Sequence, residues 1–339
     1  IADVAGFIGN FKTELLQHSS SESIEHGVAI LATGAKEHQT DQYLYGKHPA
    51  VVTQLELDQL FNQDDPRLKK ARHVVFIQCV GSREPDRPYC SKVCCTHSVQ
   101  SALQFKDQNP DVSVYVLYRD IRTYGKREDI YREARARGVL FFRYDPDRKP
   151  VVKTDGNFVE VIFNDPILDR NFSVPADIVC LATGIDSYHD LELTRQFKVP
   201  LDADGWLQEA HQKLRPVDFA NDGIFVCGTA HYPKPIEESI AQARAAASRA
   251  LTVLAMDSIK VGGVVSYIQP DLCSGCLGCI EVCPFGAIAY NAERKTAEVN
   301  PALCKGCGAC AAACPSEAPD LRGFNNQQLY AQINSALAA

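Results

Sequence analysis

The chain has 339 residues, of which 45% are hydrophobic, so it is long enough to bury the cores of two or three domains. Its formal net charge of −7 argues against a nucleic-acid-binding protein, and no apolar run reaches the roughly 18 residues that a membrane-spanning helix needs. Fourteen cysteines in a chain of this length, with no secretory signal at its start, indicate a reduced, cytoplasmic protein rather than a disulfide scaffold. Because the chain begins at Ile1 and its only methionine is Met256, we expect a fragment or a processed product that lacks an N-terminal segment.

Two apolar strands end in the same tripeptide. Residues 1–25 are polar and weakly patterned, and Ser19–Ser21 predict a loop. The first strand, Gly27–Gly34, ends in Ala32, Thr33 and Gly34, and the second, Ile178–Gly184, ends in Ala182, Thr183 and Gly184. Small residues after a core strand are common. Two such endings on either side of an insert of domain size are typical of flavoproteins with two dinucleotide-binding domains, in which the chain leaves the flavin domain and later returns to it.

The insert begins with a strand–helix–strand pattern in which cysteines take the place of glycines. The predicted elements are a strand at Arg72–Val80, a helix at Ser98–Gln108 and a strand at Val112–Tyr118. A pyridine-nucleotide domain would carry a glycine-rich fingerprint after its first strand, and this chain has none. It has instead four cysteines, Cys79, Cys90, Cys94 and Cys95. We interpret them as ligands of an iron–sulfur cluster that replaces the nucleotide at the helix N-terminus. A structural zinc site is the alternative.

A third strand, Gly223–Ala230, runs through a loop into an alanine-rich helix at Ile236–Met256. Pro235 with two glutamates directly behind it is a good helix start. A helix whose N-terminus points at a flavin ring would present a positive dipole end to the reduced, anionic flavin. The pattern therefore predicts a flavin contact here, and an ordinary strand–helix unit is the alternative.

The most specific pattern is a cysteine run that occurs twice between Cys273 and Pro315, each time as C-x₂-C-x₂-C-x₃-C-P. This is the spacing of two-cluster bacterial ferredoxins, in which the fourth cysteine of each run binds the other 4Fe–4S cluster. Gly275, Gly278, Gly306 and Gly308 would allow the tight turns. One predicted ligand set is Cys273, Cys276, Cys279 and Cys314, and the other is Cys304, Cys307, Cys310 and Cys283. Zinc ribbons and disulfides do not call for this repeated spacing. We expect a strand to follow Cys283 but not Cys314, and a terminal helix at Gln327–Ala338.

These elements predict an α/β fold in which a two-dinucleotide-binding flavoprotein of the thioredoxin reductase kind carries a C-terminal α+β ferredoxin domain with two 4Fe–4S clusters. The predicted domains are a partial FAD-binding domain at 1–70, a cluster-bearing insert resembling an NAD domain at 71–177, the return to the FAD-binding domain at 178–256, the ferredoxin domain at 257–320 and the terminal helix at 321–339.

Taken together, these motifs resemble the flavin-bearing iron–sulfur A subunit of heterodisulfide reductase, together with its relatives in sulfate reducers. The segments that carry the resemblance are Phe76–Arg83, Tyr89–His97, Tyr118–Gly125, Gly228–Lys234, Glu238–Ala243 and the two ferredoxin runs. The resemblance implies an FAD-containing electron-transfer protein, bifurcating in some members, that works with other redox subunits of a complex and with ferredoxin.

The resemblance also implies roles for particular residues. It puts a cluster on Cys79, Cys90, Cys94 and Cys95, and it puts Lys234 and His231, as catalytic residues, near the isoalloxazine ring. The remaining predicted flavin contacts are Ala32, Thr33, Gly34, Ala182, Thr183, Gly184, Gly228, Thr229, Ala230, Glu238 and Ser239.

Two other functions remain open from the sequence. Because the N-terminal glycine-rich FAD fingerprint is not in this chain, it could be an electron-transfer module that holds clusters but no catalytic flavin. An NAD(P)H-dependent oxidoreductase similar to the small subunit of glutamate synthase would also join a ferredoxin module to a two-dinucleotide fold. The missing fingerprint after Arg72–Val80 counts against that alternative.

Overall fold

The computed structural model describes residues 1–17, 20–155, 158–260 and 262–338. Strands are numbered in chain order: β1 Asp3–Phe7, β2 Asn10–Gln17, β3 Ser20–His26, β4 Ala29–Leu31, β5 Lys36–Glu37, β6 Val51–Thr53, β7 His73–Ile77, β8 Ser113–Tyr118, β9 Leu140–Arg143, β10 Val151–Asp155, β11 Phe158–Asp165, β12 Arg170–Ala176, β13 Ile178–Leu181, β14 Ile185–Asp186, β15 Ile224–Val226, β16 Ser266–Ile268, β17 Ile288–Asn291, β18 Thr296–Val299 and β19 Pro319–Leu321. Helices are α1 Gln54–Asn62, α2 Pro66–Lys70, α3 Cys94–Gln108, α4 Glu128–Ala136, α5 Leu191–Phe197, α6 Ile236–Leu254, α7 Gly278–Glu281, α8 Ala309–Ala313 and α9 Asn326–Leu337.

A five-stranded parallel sheet, in the order β6-β13-β7-β8-β9, forms the centre of the first body. Alternate residues of β7 point to opposite faces, so Val74 and Phe76 pack against α1 and α3, whereas Val75 and Ile77 pack against the antiparallel sheet β10-β11-β12. The sheet is therefore buried on both faces, which is why its strands are continuous apolar runs.

The strand at Ile178–Leu181 does not return to the flavin domain as predicted. It lies between β6 and β7 of the five-stranded sheet, with Val179 opposite Val51 and Ile178 opposite Val74. The insert consequently extends from β6 to β13. It therefore begins before the predicted boundary at 71 and ends after the predicted boundary at 177. An apolar run indicates burial on both faces, but it does not indicate which sheet provides that burial.

The second body combines two small sheets. Strands β1, β2 and β3 form an antiparallel meander, and β4 pairs in parallel with β15. Phe11, Leu31 and Phe219 belong to the core between them, which α5 also lines. The predicted loop at the serine cluster is wrong where it can be compared, because Ser20 and Ser21 are the first residues of β3; Ser19 lies outside the described residues. A two-stranded antiparallel ribbon, β5 with β14, connects the two bodies.

The C-terminal module repeats one arrangement twice. Strand β16 pairs with β19, β17 pairs with β18, and the short helices α7 and α8 contain the third cysteine of each run. The expectation that no strand follows Cys314 is wrong, because Pro319–Leu321 forms β19 along β16. The terminal helix α9 is present and begins with a capping box at Asn325, but it buries none of its residues.

Within the described ranges, no helix is both long enough and apolar enough to cross a membrane.

Candidate redox centres

The second copy of the cysteine repeat closes around a small cavity. Cys283, Cys304, Cys307 and Cys310 line it together with Ser266 and Phe285. These four cysteines are the set predicted for one 4Fe–4S cluster, and Cys283 comes from the other copy of the repeat, as the crossed spacing requires.

The first copy gathers around the buried thiol of Cys279. Burial raises the pKa of this thiol, and the charges of Cys273, Cys310 and Cys314 nearby act in the same direction. Cys276 is exposed at the surface. Two members of the other predicted set, Cys273 and Cys314, are therefore neighbours of Cys279. Cys310 is also nearby, which is consistent with two adjoining sites.

Backbone N–H groups donate to several of the sulfurs. The amide of Ser266 lies 3.3 Å from Cys304 Sγ, and that of Ala287 lies 3.3 Å from Cys283 Sγ. In the insert, the amide of Lys92 lies 3.3 Å from Cys90 Sγ. Such donors stabilise thiolates bound to iron, so the residues present fit an iron–sulfur group.

Left-handed backbone positions set the tight turns between the ferredoxin cysteines. Gly275 and Gly306 occupy equivalent positions in the two copies, with φ of 69° and 63°. At the next equivalent pair the second copy has Gly308, whereas the first copy has Leu277 at φ 67°. Gly278 does not have a positive φ, so the turn predicted for it falls one residue earlier, on a leucine.

The middle cysteines lie along the segment from the end of β7 to the start of α3. Cys79 follows the strand in a left-handed conformation, with φ of 60°, and α3 begins at Cys94 rather than at the predicted Ser98. Burial raises the pKa of Cys94, and the charges of Cys95, Cys79 and Cys90 raise it further. Burial likewise raises the pKa of Cys95, to about 11. Burial and the mutual repulsion of these thiolates oppose ionisation, so a bound cationic centre would favour their charged form.

In the part of the chain that the structure describes, no three His, Cys, Asp or Glu side chains converge closely enough to hold one metal ion. The ligand roles of Cys79, Cys90, Cys94 and Cys95, and those of the ferredoxin cysteines, stay predictions.

The predicted flavin residues separate into two groups. Ala32–Gly34 and Gly228–Ala230 follow the paired strands β4 and β15, and Cys227 N donates to Leu31 O over 3.2 Å at this edge. Ala32 and Thr33 are exposed there. By contrast, Ala182–Gly184 are buried at the other end of the ribbon, where Gly184 O accepts a hydrogen bond from His38 N. Because β5 and β14 run antiparallel, the two Ala-Thr-Gly segments lie at opposite ends of this two-residue ribbon. That both segments line one flavin stays a prediction.

Lys234 is a buried ammonium without a carboxylate partner among the described residues. Its Nζ donates to Gly228 O at 2.5 Å and lies 3.9 Å from the centre of the Tyr232 ring. Its side chain is 3% exposed. Burial, followed by the like charge of Lys92, lowers the pKa of Lys234 to about 8. An unpaired buried cation of this kind fits an anionic group bound at the carboxyl edge of β4 and β15.

Lys92 reaches the same tyrosine from the middle cysteine loop, with its Nζ 4.7 Å from the centre of the Tyr232 ring. The segment between Cys90 and Cys94 therefore touches the loop between β15 and α6. This contact brings the predicted third cluster and the predicted flavin loop together.

His231 is buried, and both of its ring nitrogens are occupied. Gly228 N donates to Gln242 Oε1 at 2.9 Å, so the amide nitrogen of Gln242 donates to His231 Nδ1 at 2.6 Å. The imidazole proton consequently resides on Nε2, which donates to Glu209 over 2.7 Å. Burial lowers the pKa of His231, although the hydrogen bond with Glu209 acts in the opposite direction.

The first turn of α6 is occupied by contacts with the first body. Glu237 pairs with Arg127, and Glu238 accepts from the Tyr124 hydroxyl. The hydroxyl of Ser239 donates to Pro235 O at 3.1 Å. Glu238 and Ser239 therefore have hydrogen-bond partners within the protein. Their flavin contacts stay predictions.

Comparison with known proteins supports the assignment of the C-terminal module as a ferredoxin domain with two clusters. A family model described as a 4Fe-4S dicluster domain matches residues 266–315. Over nearly its whole length the chain is similar to the A subunit of H(2):CoB-CoM heterodisulfide,ferredoxin reductase from Methanothermobacter marburgensis, at 39% identity over 95% of the chain and 51% of that protein. The iron-sulfur A subunit of CoB--CoM heterodisulfide reductase from Methanocaldococcus jannaschii is 36% identical over 92% of the chain and 50% of its own length.

Over almost all of its length the chain is similar to heterodisulfide reductase A subunits of several methanogens. It spans about half the length of the curated relatives it matches. The resemblance inferred from the motifs is thereby confirmed, as are the α/β class and the dicluster module.

Solved structures with some similarity include two reductases. T. acidophilum thioredoxin reductase has a TM-score of 0.46 and 15% identity, covering 76% of this chain and 73% of that one. A NAD-dependent persulfide reductase from A. fulgidus has a TM-score of 0.45 and 16% identity, covering 78% of this chain and 46% of that one.

Sequence reasoning missed Arg87, the residue that fixes the middle cysteine loop of this chain. The buried guanidinium of Arg87 donates to Gly81 O at 3.0 Å, to Thr183 O at 3.0 Å and to Ile185 O at 2.8 Å. Arg87 thereby joins the start of the middle cysteine loop, at Gly81, to the segment that follows β13. An arginine in a polar loop gives no signal of burial in the sequence, and only the SREPDRPYC context between two cysteines marks it.

Proposed function

We propose that this chain is the flavin- and iron–sulfur-carrying part of a heterodisulfide reductase type of electron relay, with one FAD and three 4Fe–4S clusters. The observation that carries the proposal is the contact at Tyr232, because Lys92 of the middle cysteine loop and Lys234 of the flavin-side loop both lie over its ring. A cluster on one side of this contact and a flavin on the other would be neighbours, as an electron relay requires.

Bound FAD would supply the exchange between two-electron and one-electron transfer. Toward it, the chain contributes the exposed turn at Ala32–Gly34, the backbone after β15 and the buried ammonium of Lys234. That ammonium would oppose negative charge on the ring. The Nε2 proton of His231, held on Glu209, keeps the loop in one arrangement and leaves the imidazole neutral. We therefore assign His231 a positioning role and Lys234 the direct contact.

The middle cysteines would hold the third cluster. Cys79 reaches in from the end of β7, Cys94 and Cys95 from the start of α3, and Cys90 from the loop fixed by Arg87. A zinc ion would accept four thiolates too. It would, however, be redox-inert next to the Tyr232 contact, whereas a cluster would extend the route from the flavin toward the surface.

The partners we propose are other redox subunits of a cytoplasmic complex. The names of the relatives mention a CoB–CoM heterodisulfide and ferredoxin. Electrons passing through this chain would accordingly reach a disulfide-reducing partner, a ferredoxin, or both by bifurcation.

Anaerobic reconstitution with iron, sulfide and FAD tests the proposal. We expect about twelve iron and twelve sulfide per chain, as three 4Fe–4S clusters require, and flavin that is released by acid. Three clusters without any flavin binding would favour the cluster-only module. Eight iron with one zinc would show that the middle site is structural. Reduction of the loaded chain by NADPH would favour the pyridine-nucleotide alternative.

A further inference from the structure

Among the positions that differ between the two halves of the ferredoxin module, two flank ligands of the same predicted cluster. Lys305 follows Cys304, whereas Ser274 follows Cys273 at the equivalent place in the first copy. Phe285 lies two residues after Cys283, and its equivalent after Cys314 is Ser316. Lys305 and Phe285 therefore lie beside one predicted ligand set, whereas the other set has serines at these places. The set with Lys305 and Phe285 consists of Cys283, Cys304, Cys307 and Cys310.

Both of these positions contact the second body. Lys305 forms an ion pair with Asp222, which also pairs with Arg215 over 3.2 Å. Phe285 O accepts from Lys198 Nζ at 3.5 Å. In the described part of the chain, these are the two hydrogen bonds that side chains form between the module and the second body.

Burial differs between the two copies at the residue after the first cysteine. Lys305 is half-buried, whereas Ser274 of the first copy is exposed. The cysteines themselves do not differ in this way, since Cys276 and Cys307 are both exposed. Ala302, just before the second run, lines a cavity with Asn10 of the β1–β2 turn and Leu254 at the end of α6. Ala302 and Lys305, at the start of the second run, and Phe285 after Cys283 thus lie on the side of the module that meets the second body.

We propose that the ferredoxin module is held in one orientation, with the cluster of Cys283, Cys304, Cys307 and Cys310 on the side of the second body and the cluster of Cys273, Cys276, Cys279 and Cys314 facing outward. Resting on the proposed function, this orientation sets the order of electron transfer. Transfer slows steeply with distance, so the outward cluster exchanges electrons with a partner and the inner cluster with the body. Lys305 and Asp222 are the residues that select this order.

A charge reversal in the cluster-loaded full chain tests the orientation without any turnover. Asp222→Lys should raise amide hydrogen exchange twofold to tenfold in 283–287 and 303–308 of the module, the range expected for losing a partly buried ion pair. The double variant Asp222→Lys with Lys305→Asp should restore protection. Ser274→Lys, which places the same charge on the first copy, should leave exchange in 215–223 of the body unchanged.

Iron and sulfide analysis of each variant establishes that the clusters are intact, so a change in exchange reports docking rather than loss of the module. Unchanged exchange in the module after Asp222→Lys would overturn the orientation, as would altered exchange in 215–223 after Ser274→Lys. Neither readout depends on flavin or on the middle cluster, so failure here is distinguishable from failure of the proposed function.

Discussion

Replacing Lys234 with methionine removes a buried charge that the protein does not pair. In the folded chain the pKa of Lys234 is lowered by burial to about 8, from an ordinary value of 10.5. At 1.36 kcal/mol per pKa unit this difference corresponds to about 3 kcal/mol of folding free energy. Residual hydration of the ammonium and the hydrogen bond to Gly228 O, which methionine cannot make, reduce the gain. We expect the variant to be about 1–2 kcal/mol more stable at pH 7.

The stability that Lys234→Met gains over the native chain should shrink as the pH rises. Because the folded-state pKa of Lys234 lies below the unfolded-state value, the unfolded chain binds more protons between pH 8 and 10.5. The native protein therefore gains stability as pH rises through this window, and the methionine variant does not. The difference in free energy of unfolding between the variant and the native chain should have its full value below pH 8. At pH 9.5 it should have narrowed by roughly half or more.

Urea unfolding of the cluster-loaded chain, without added flavin, measures this difference under anaerobic conditions. Trp206 is the only tryptophan and is 2% exposed, so its fluorescence reports the unfolding of the second body. Lys92→Met provides a matched control, because it removes the like charge that lowers the pKa of Lys234 and should move the window to higher pH. Equal stability of Lys234→Met and the native chain at pH 7, or a difference that does not change with pH, would refute the reasoning.

Cys94→Ala should remove one 4Fe–4S cluster and leave both ferredoxin clusters, so that anaerobic analysis finds about two-thirds of the iron and sulfide; lost zinc with unchanged iron would show a structural site instead. Arg87→Met should destabilise the loaded chain by about 2–4 kcal/mol, because several buried carbonyls lose their donor. Arg148→Met, at an exposed position, should have little effect in the same unfolding experiment. In flavin-loaded protein, Lys234→Met should lower the flavin reduction potential with cluster content intact; an unchanged potential would place the ammonium away from the ring.

Chemistry that depends on local spacing could be predicted from the sequence. The paired runs from Cys273 to Cys314 indicated the dicluster module, because short loops bring their thiols together whatever the rest of the chain does. The ligand role of Cys94 and Cys95 rests on the same kind of local spacing and stays a prediction. The hydrophobic pattern likewise identified the apolar strands, because apolar side chains are the ones that fold into the core.

Partners that are distant in the chain were decided only by the tertiary structure. The strand at Ile178–Leu181 is as apolar as any other, and pairing alone assigns it to the five-stranded sheet. Nothing near Arg87 in the sequence indicates that its guanidinium will be buried against the end of that strand. The difference between Lys305 and Ser274 is visible in the sequence. Only the structure shows that Lys305 pairs with Asp222 of the second body. Side-chain charge and size are local properties, whereas the free energy of burying them depends on which distant residue lies opposite.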